Sequence, residues 1–403
     1  MKSYLLLLLF FITLWACSCS KEFLEYKCGH DEIASDPRAQ PKMVSVEKVN
    51  DPNGRRLAEI DYQPIRIAFD YTALDSRGIP NDTKAYIKDV VMPRAGKFFT
   101  DRLEVNPLTK LKLQQEDCFG VTVPQIYKTN GTYNDAVIFV DADAQKDGLV
   151  AWAVSCALDE DTGRPIAGLL NWEPKHISTA RADFGAQLWA AIHEMTHILA
   201  FSLTLFSHWR DSNNVVLGMS NIFKTEQRDE QTIFKMITPN VRLRAEIQFC
   251  CPFLDGLEVE NQGGAASART HWERRIMMNE YMTASATRDF VFSDITLALF
   301  QDTGWYQVDI EKGDSLHWGK CAGCDFLQKK CMQKENPPIT EYPRYFCTEA
   351  ARGCSYDYLS KGYCLLRSHE EVPPSFQYFS EPDRGGADFF ADFCPYVVPT
   401  EAG

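Results

Sequence analysis

The stretch "AAIHEMTHILAFS", residues 190–202, contains two histidines and a glutamate in the spacing H-E-x-x-H. Apolar residues recur every three or four positions between 178 and 202, which predicts an amphipathic helix there. On a helix, His193 and His197 lie one turn apart, so both imidazoles project from one face and can bind the same zinc ion. Glu194 stands beside them as a candidate general base. The pattern therefore predicts a zinc site on a helix.

The third zinc ligand does not follow from this motif. Catalytic zinc usually takes three protein ligands, and in the extended motif the third would fall at 203, where the chain has Leu203. Spacing alone favours His208, eleven residues past His197. An acidic ligand such as Glu226 is an alternative, as in other zinc peptidase classes. His271 is a further candidate, because the segment "MNEYMT" that follows it is typical of a methionine turn beneath a metal site.

Bulk composition limits the class of protein. The 403 residues are 45% hydrophobic and 24% charged, as in folded globular proteins of two or three domains. The net charge is −13 and the sequence shows no run of Lys and Arg, so nucleic acid is not an expected partner.

The N-terminus indicates export. "MKSYLLLLLFFITLWACSCS" predicts a secretory signal peptide over 1–20, with a retained anchor or a lipoprotein signal as alternatives. Its apolar run of about twelve residues is too short to span a bilayer. Fourteen cysteines, seven of them in the last 83 residues, favour a disulfide-bonded exported protein. Asn81 and Asn130 head glycosylation sequons. We therefore expect a secreted or cell-surface protein.

Four segments before the helix have the composition of strands. Alternating apolar residues predict one strand in "QPIRIAFDYTAL" (63–74), and the apolar runs in "YNDAVIFVDADA" (133–144), "GLVAWAVSCAL" (148–158) and "RPIAGLLNW" (164–172) predict three more. A second helix is expected over 293–306, with Ser293 as N-cap and Gly304 as the stop. Strands leading into a helix indicate an α+β fold.

Several blocks carry a family resemblance. "HEMTHILAFS" (193–202), a long insertion, "GGAASARTHWERRIMMNEYMT" (263–283) and "ITLALFQDTGWYQVD" (295–309) together resemble the leishmanolysin family, including its invadolysin branch, within the metzincin zinc endopeptidases. The similarity runs through the strands before the helix and covers roughly residues 60–330. It implies that His271 is the third zinc ligand, that Met282 is the Met-turn residue, and that one Zn²⁺ is bound per chain.

The resemblance also implies a domain plan and a latent form. The fold would be a twisted sheet with an active-site helix over 57–202, an inserted subdomain over 203–315, and a cysteine-rich module over 316–403. Family members usually continue past this chain's last residue, so that module is expected to be shortened or truncated. "CGHD" at 28–31 is similar to the family's propeptide motif, which makes 21–56 a propeptide whose Cys28 caps the zinc. The alternative is a disulfide at Cys28. Cleavage near Arg55-Arg56 would release the mature enzyme.

Two details complete these expectations. The family's helix normally ends in glycine where this chain has Ala200, and a positive φ there would cost the alanine about 1 kcal/mol. Without Cys17, Cys19 and Cys28, eleven cysteines remain, so one is unpaired or lacks its partner. We expect Cys118 to pair with Cys156, and the cysteines at 250–251 to pair with those at 321–324.

The predicted activity is hydrolysis of peptide bonds in protein or peptide substrates. Glu194 would draw a proton from the zinc-activated water and pass it to the leaving amine. "RPIAGLLNW" is our candidate edge strand for holding an extended substrate, the alternative being a core strand. A second hypothesis is a noncatalytic adhesion or binding protein on a peptidase scaffold, associated peripherally with a cell surface. The oligomeric state is not predicted.

Overall fold

The computed structural model describes residues 28–48, 62–144, 149–228, 231–262, 269–286 and 289–399. The predicted signal peptide, Cys17, Cys19 and the dibasic Arg55-Arg56 lie outside the described residues. Within these ranges, no helix combines the length and the apolar character needed to cross a membrane.

Strands occur along the whole described chain, and most of them are short. They are β1 (Lys42–Val44), β2 (Glu47–Lys48), β3 (Gln63–Pro64), β4 (Ile67–Asp70), β5 (Leu103–Val105), β6 (Leu108–Lys110), β7 (Asp117–Cys118), β8 (Val121–Thr122), β9 (Ala136–Asp141), β10 (Ala151–Asp159), β11 (Pro165–Trp172), β12 (Phe223–Arg228), β13 (Gln231–Met236), β14 (Leu257–Glu258), β15 (Gln307–Val308), β16 (Arg352–Cys354), β17 (Lys361–Cys364), β18 (Leu366–Ser368), β19 (Arg384–Gly386) and β20 (Val397–Pro399).

The helices are mostly short. They are α1 (His30–Ala34), α2 (Thr72–Ser76), α3 (Asn81–Tyr86), α4 (Met92–Thr100), α5 (Gln125–Thr129), α6 (Phe184–Leu199), α7 (Leu203–Phe206), α8 (Met219–Ile222), α9 (Pro239–Phe249), α10 (Arg274–Met277), α11 (Asp294–Asp302) and α12 (Cys324–Gln328). This mixture of helices and sheets agrees with the predicted α+β class.

One five-stranded sheet organises the first half of the chain. Its strand order is β1-β10-β11-β9-β4. β11, β9 and β4 run parallel to one another, whereas β10 is antiparallel to β11 and parallel to β1. The three predicted apolar strands are β9, β10 and β11, and every residue in them is buried.

The strand order corrects one prediction. β11, the "RPIAGLLNW" segment, pairs with β10 on one side and with β9 on the other, so it is an interior strand. The predicted edge position of this segment is therefore wrong. β10 is the outermost long strand, and its free side is covered by the segment that contains β1.

Helix α6 packs against this sheet at close range. A Cβ at Gly168 on β11 would lie 2.4 Å from Cγ2 of Ile198, so glycine is needed for the helix to approach. The Ser155 hydroxyl on β10 donates to the Ile198 carbonyl at 2.6 Å. The helix begins at Phe184 rather than at 178, because short 3₁₀ turns occupy the residues before it. It ends before Ala200, whose φ of −155° removes the suspected cost of a left-handed alanine.

The second half of the chain builds onto this core. β12, β13 and β14 form one three-stranded sheet, and β16, β17 and β20 form another near the C-terminal end. Helix α11 confirms the second predicted helix: the Ser293 side chain caps it by accepting from Thr296 N–H, and Gly304 follows it with φ +77°.

Disulfide bonds confirm the predicted pairings. The bonds are Cys118–Cys156, Cys250–Cys321, Cys251–Cys324, Cys331–Cys394 and Cys347–Cys364. Among the described cysteines, Cys354 is exposed and Cys28 is buried, and neither forms a disulfide. The unpaired cysteine expected from the odd number is therefore Cys354.

Candidate metal centre

Helix α6 presents two histidines on one face. His193 and His197 are fully buried, and their Nε2 atoms lie 3.1 Å apart. Each ring is oriented by a hydrogen bond from Nδ1 to a backbone carbonyl, that of Tyr281 for His193 and that of Phe201 for His197, both at 2.7 Å. Because each Nδ1 donates its proton to a carbonyl, each Nε2 keeps a lone pair for a metal.

His271 arrives from a distant part of the sequence. Its Nε2 lies 3.2 Å from Nε2 of His193, and its side chain is fully buried. The neighbouring backbone is held on both sides: His271 C=O accepts from Glu260 N–H at 2.9 Å, and Trp272 N–H donates to Met282 C=O at 3.0 Å. Met282 is itself fully buried. The segment 271–282 thus brings a third imidazole against the two on α6.

This donor set suits zinc. Tetrahedral zinc with Zn–N bonds of about 2.0–2.1 Å places its nitrogen ligands about 3.3 Å apart, close to the 3.1 and 3.2 Å between these imidazoles. Burial, followed by the neighbouring imidazoles, lowers the pKa of His197 well below its usual range. A neutral imidazole is the form that binds a metal.

Cys28 completes the cluster. The potential ligand atoms of Cys28 and the three histidines all lie within 4.8 Å of one another, and all four residues are buried. Cys28 Sγ is 3.5 Å from His197 Nε2, and the thiol donates to Glu194 Oε1 at 3.1 Å. The thiol therefore contacts both a potential ligand and the candidate general base.

His30 is a site residue that the sequence analysis did not single out. Its ring stacks on that of His197, and its two ring nitrogens bond to Ala153 C=O at 2.6 Å and to the Ser202 hydroxyl at 3.1 Å. The signal was present in the "CGHD" motif, where a histidine stands two residues after the cysteine.

The segment around Cys28 follows the free side of β10. Gly29 N–H donates to Ala151 C=O at 3.0 Å, and β1 pairs in parallel with residues 157–159 of the same strand. A Cβ at Gly29 would lie 2.8 Å from Cδ1 of Leu149 and 3.1 Å from Ala151 O, so this approach requires glycine. Residues 28–44 therefore cover both the metal centre and the strand beside it.

A comparison with known families agrees with this geometry. The leishmanolysin family model, peptidase M8, matches residues 43–403. The chain belongs to the leishmanolysin family.

Individual members of this family are similar over most of the chain. Leishmanolysin of Leishmania major is 33% identical over 333 residues, which cover 81% of this chain and 53% of that protein. Leishmanolysin of Leishmania donovani is 34% identical over 318 residues, covering 77% and 51%. The leishmanolysin-like peptidase of Caenorhabditis elegans is 31% identical over 477 residues, covering 94% and 70%. The chain spans about half the length of the Leishmania proteins it matches.

The other candidate ligands are not part of the cluster formed by Cys28 and the three histidines. Glu226 on β12 forms an ion pair with Lys235 at 2.5 Å, and neither Glu226 nor His208 belongs to the cluster. The sequon residues Asn81 and Asn130 are both exposed.

Proposed function

We propose that this leishmanolysin-family chain is an exported zinc endopeptidase that is made as a latent zymogen. The observation that carries the proposal is a buried cluster of three imidazole nitrogens and the Cys28 sulfur. This cluster lies directly beside the Glu194 carboxylate. Membership of a family of zinc metallopeptidases supports it.

His193, His197 and His271 would hold one zinc ion through their Nε2 atoms. Bound in this way, zinc acts as a Lewis acid towards a peptide carbonyl and lowers the pKa of a coordinated water to about 7. The carbonyls of Tyr281 and Phe201 keep two of the rings in the orientation and tautomer that this binding needs.

Glu194 is the proposed general base. Its carboxylate is buried and projects from the same helix as two of the ligands, so it would take the proton of the attacking water and pass it to the leaving amine.

The substrate would be a protein or peptide bound in extended form along β10. The side of β10 that faces away from β11 runs beside the cluster, and its Ala151 C=O already accepts a hydrogen bond from Gly29 N–H of the chain's own N-terminal segment. Once that segment leaves, the same backbone groups are available to an added strand.

Latency would come from Cys28. Its sulfur is the fourth potential ligand of the cluster and lies 3.1 Å from Glu194 Oε1, so it would block the metal's open position and the proposed general base together. We infer that cleavage near Arg55-Arg56 frees the enzyme after export through the secretory pathway. The division into subdomains at 202 and 315, the Met-turn role of Met282, and glycosylation at Asn81 and Asn130 belong to the same proposal.

The test uses the full chain and compares zinc content with casein cleavage. We expect the parent to hold one zinc and cleave slowly, and Cys28→Ala to hold zinc and cleave rapidly. In the Cys28→Ala background, Glu194→Gln should keep zinc without cleaving, and His271→Ala should lose both. If Cys28→Ala holds zinc but never cleaves casein, the adhesion or binding hypothesis replaces this one. If His271→Ala keeps zinc and activity, the ligand assignment is wrong.

A further inference from the structure

A buried carboxylate lies behind the metal centre and is not explained by the proposed chemistry. Glu280 is 1% exposed. One of its oxygens accepts from Met282 N–H at 2.6 Å. The other accepts from the Ser293 hydroxyl at 2.8 Å and from the Thr296 hydroxyl. Every one of these partners is a donor, so the side chain works as an acceptor for three groups at once.

The turn that Glu280 holds carries the acceptor for a zinc ligand. Tyr281 C=O lies between Glu280 and Met282 and accepts from His193 Nδ1 at 2.7 Å and from Trp189 Nε1 at 3.0 Å. Met282 N–H belongs to the same peptide group as Tyr281 C=O, and it donates to the Glu280 side chain. The direction of the Tyr281 carbonyl, and with it the His193 ring, therefore depends on that bond.

The same carboxylate reaches the third imidazole through Thr296. The Thr296 hydroxyl donates to Glu280 and accepts from Trp272 Nε1 at 2.8 Å. Trp272 directly follows His271, and its N–H donates to Met282 C=O at 3.0 Å. One oxygen of Glu280 thus holds the turn at Met282, and the other holds Trp272, the residue after His271, through Thr296.

We propose that Glu280 is a positioning residue for the metal centre, setting the Tyr281 carbonyl against His193 and the Trp272 backbone beside His271. This inference rests on the proposed zinc site. It goes beyond that site because it assigns the geometry of two imidazoles on different segments to one carboxylate. Residues that hydrogen-bond to metal ligands without binding the metal themselves typically matter for affinity. Removing one of them weakens metal binding by about 10–100-fold.

Asp302 supplies a matched control at the other end of α11. It is 7% exposed and accepts from Asn240 N–H at 3.1 Å, Asn240 Nδ2 at 2.7 Å and Val241 N–H at 2.9 Å. None of these groups belongs to the cluster or bonds to the segment 280–282. Asp302 therefore shares with Glu280 the burial and the acceptor role, but not the link to the imidazoles.

The experiment compares Glu280→Met, Glu280→Gln and Asp302→Leu in the full chain. Met and Leu keep approximately the volume and remove the acceptors, whereas Gln keeps a carbonyl for Met282 N–H and lets the two hydroxyls turn. The measurements are zinc content, the rate of zinc transfer to a chelator, the visible spectrum of the cobalt-substituted protein, and urea unfolding of the metal-free protein.

We expect Glu280→Met to release zinc at least about tenfold faster than the parent and to alter the cobalt spectrum. Glu280→Gln should release zinc at a rate between those of the parent and Glu280→Met. Asp302→Leu should lower the free energy of unfolding without changing the rate of zinc release or the cobalt spectrum. If Glu280→Met fails to fold, Thr296→Val should show the faster release, because it removes the hydroxyl that joins Glu280 to Trp272 and leaves the bond from Met282 N–H to Glu280 in place.

Two outcomes have distinct meanings. A parent chain that holds no zinc contradicts the proposed function itself. A parent that holds zinc, together with Glu280→Met and Thr296→Val variants that release it at the parent rate, overturns the positioning role and leaves the zinc site intact. Equal effects of Glu280→Met and Asp302→Leu on the cobalt spectrum would also overturn it.

Discussion

The imidazole of His30 lies flat against that of His197, with ring centroids 3.9 Å apart and an interplanar angle of 5°. One ring belongs to the N-terminal segment and the other to α6. Their stacking means that the segment is anchored beside Cys28 by a second side chain, which is fully buried and bonded at both ring nitrogens. Latency in this chain should therefore depend on more than a thiol.

Replacing His30 with alanine should weaken that anchor. The change removes two hydrogen bonds and leaves Ser202 and Ala153 C=O without this partner, at about 2–3 kcal/mol in total. We expect the full chain to keep its zinc while casein cleavage rises by about 30- to 150-fold, up to the rate of Cys28→Ala. The control is His369→Ala, which removes a histidine that bonds to Gly386 C=O near the C-terminal end. We expect this change to leave zinc content and casein cleavage at the parent level. Unchanged latency in His30→Ala would show that Cys28 alone closes the site.

Adding a methyl group at Gly29 should have a similar effect for a steric reason. The new Cβ would meet Leu149, the Ala151 carbonyl and Trp152 at 2.8–3.1 Å, and such overlap typically costs about 1–3 kcal/mol. We expect Gly29→Ala to raise cleavage by the full chain. Gly78→Ala is the matched control, because nothing lies within 4 Å of its added Cβ. Equal cleavage by the two variants would contradict the close approach to β10.

Cys28 and Cys354, the two described cysteines without a disulfide, should differ in reactivity. Cys354 is exposed on β16, whereas Cys28 is 4% exposed within the metal cluster. We expect iodoacetamide to modify Cys354 rapidly in the native chain and Cys28 only slowly, since a metal-held, buried thiolate is protected. Zinc removal by a chelator should speed labelling of Cys28 and leave Cys354 unchanged, as followed by peptide mass mapping. If Cys28 reacts at the same rate with and without the chelator, it is not a zinc ligand.

The sequence predicted the motif helix and the apolar strands because local periodicity determines them. The strand order could not be predicted in the same way. β9, β10 and β11 are all rich in apolar residues and buried at every position, since each is covered on both faces, and so composition does not separate an edge strand from an interior one. The misassigned edge at β11 follows from this: β10 is as buried as its neighbours because residues 28–44 cover it.

The third imidazole marks another limit of local reasoning. Spacing favoured His208, because a ligand near His197 needs no knowledge of the fold. The methionine-turn-like segment after His271 and the family resemblance directed attention to this residue, since an insertion between ligands leaves their separation to tertiary structure. The contacts of His30 and Glu280 do not follow from local pattern either, because His30 meets Ser202 across 172 positions and Glu280 meets Thr296 on a separate helix 16 positions later.

Burial makes Glu280 sensitive to pH. It raises the pKa of this carboxyl to about 7, in spite of the hydrogen bonds from Thr296, Met282 and Ser293, which act in the opposite direction. The neighbouring titratable group is the phenol of Tyr281, whose pKa is also raised by burial. The folded chain therefore keeps a proton on Glu280 at pH values where the unfolded chain has lost it.

The sign of the effect follows from that difference. Below about pH 4.5 both states are protonated, and as the pH rises to about 7 only the unfolded state gains charge, so folding is progressively disfavoured by roughly 3 kcal/mol. Glu280→Gln lacks this titration. We expect the unfolding free energy of the metal-free parent, relative to that of Glu280→Gln, to fall between pH 4.5 and 7 and then to level off. A difference that stays constant across this range in urea unfolding would contradict the raised pKa.

A buried ion pair links the segment after His271 to residues near the C-terminal end. Arg274, three residues past His271, is 1% exposed and donates to the carboxylate of Asp388, to Met278 C=O at 3.1 Å and to Ser285 C=O at 2.9 Å. Asp388 is also buried and accepts from the Tyr396 hydroxyl at 3.0 Å. A buried charge pair therefore joins the backbone around the metal centre to residues more than a hundred positions later.

Removing one charge of this pair should be costly and removing both much less so. Arg274→Met leaves the Asp388 carboxylate buried without its counter-charge, at about 3–5 kcal/mol of unfolding free energy. Asp388→Asn in the same chain keeps an acceptor for the Tyr396 hydroxyl while removing the charge, so the double variant should recover much of the loss. Urea unfolding of the parent, both single variants and the double variant gives the coupling energy directly. Additive losses would mean that the two side chains do not stabilise the folded state as a pair.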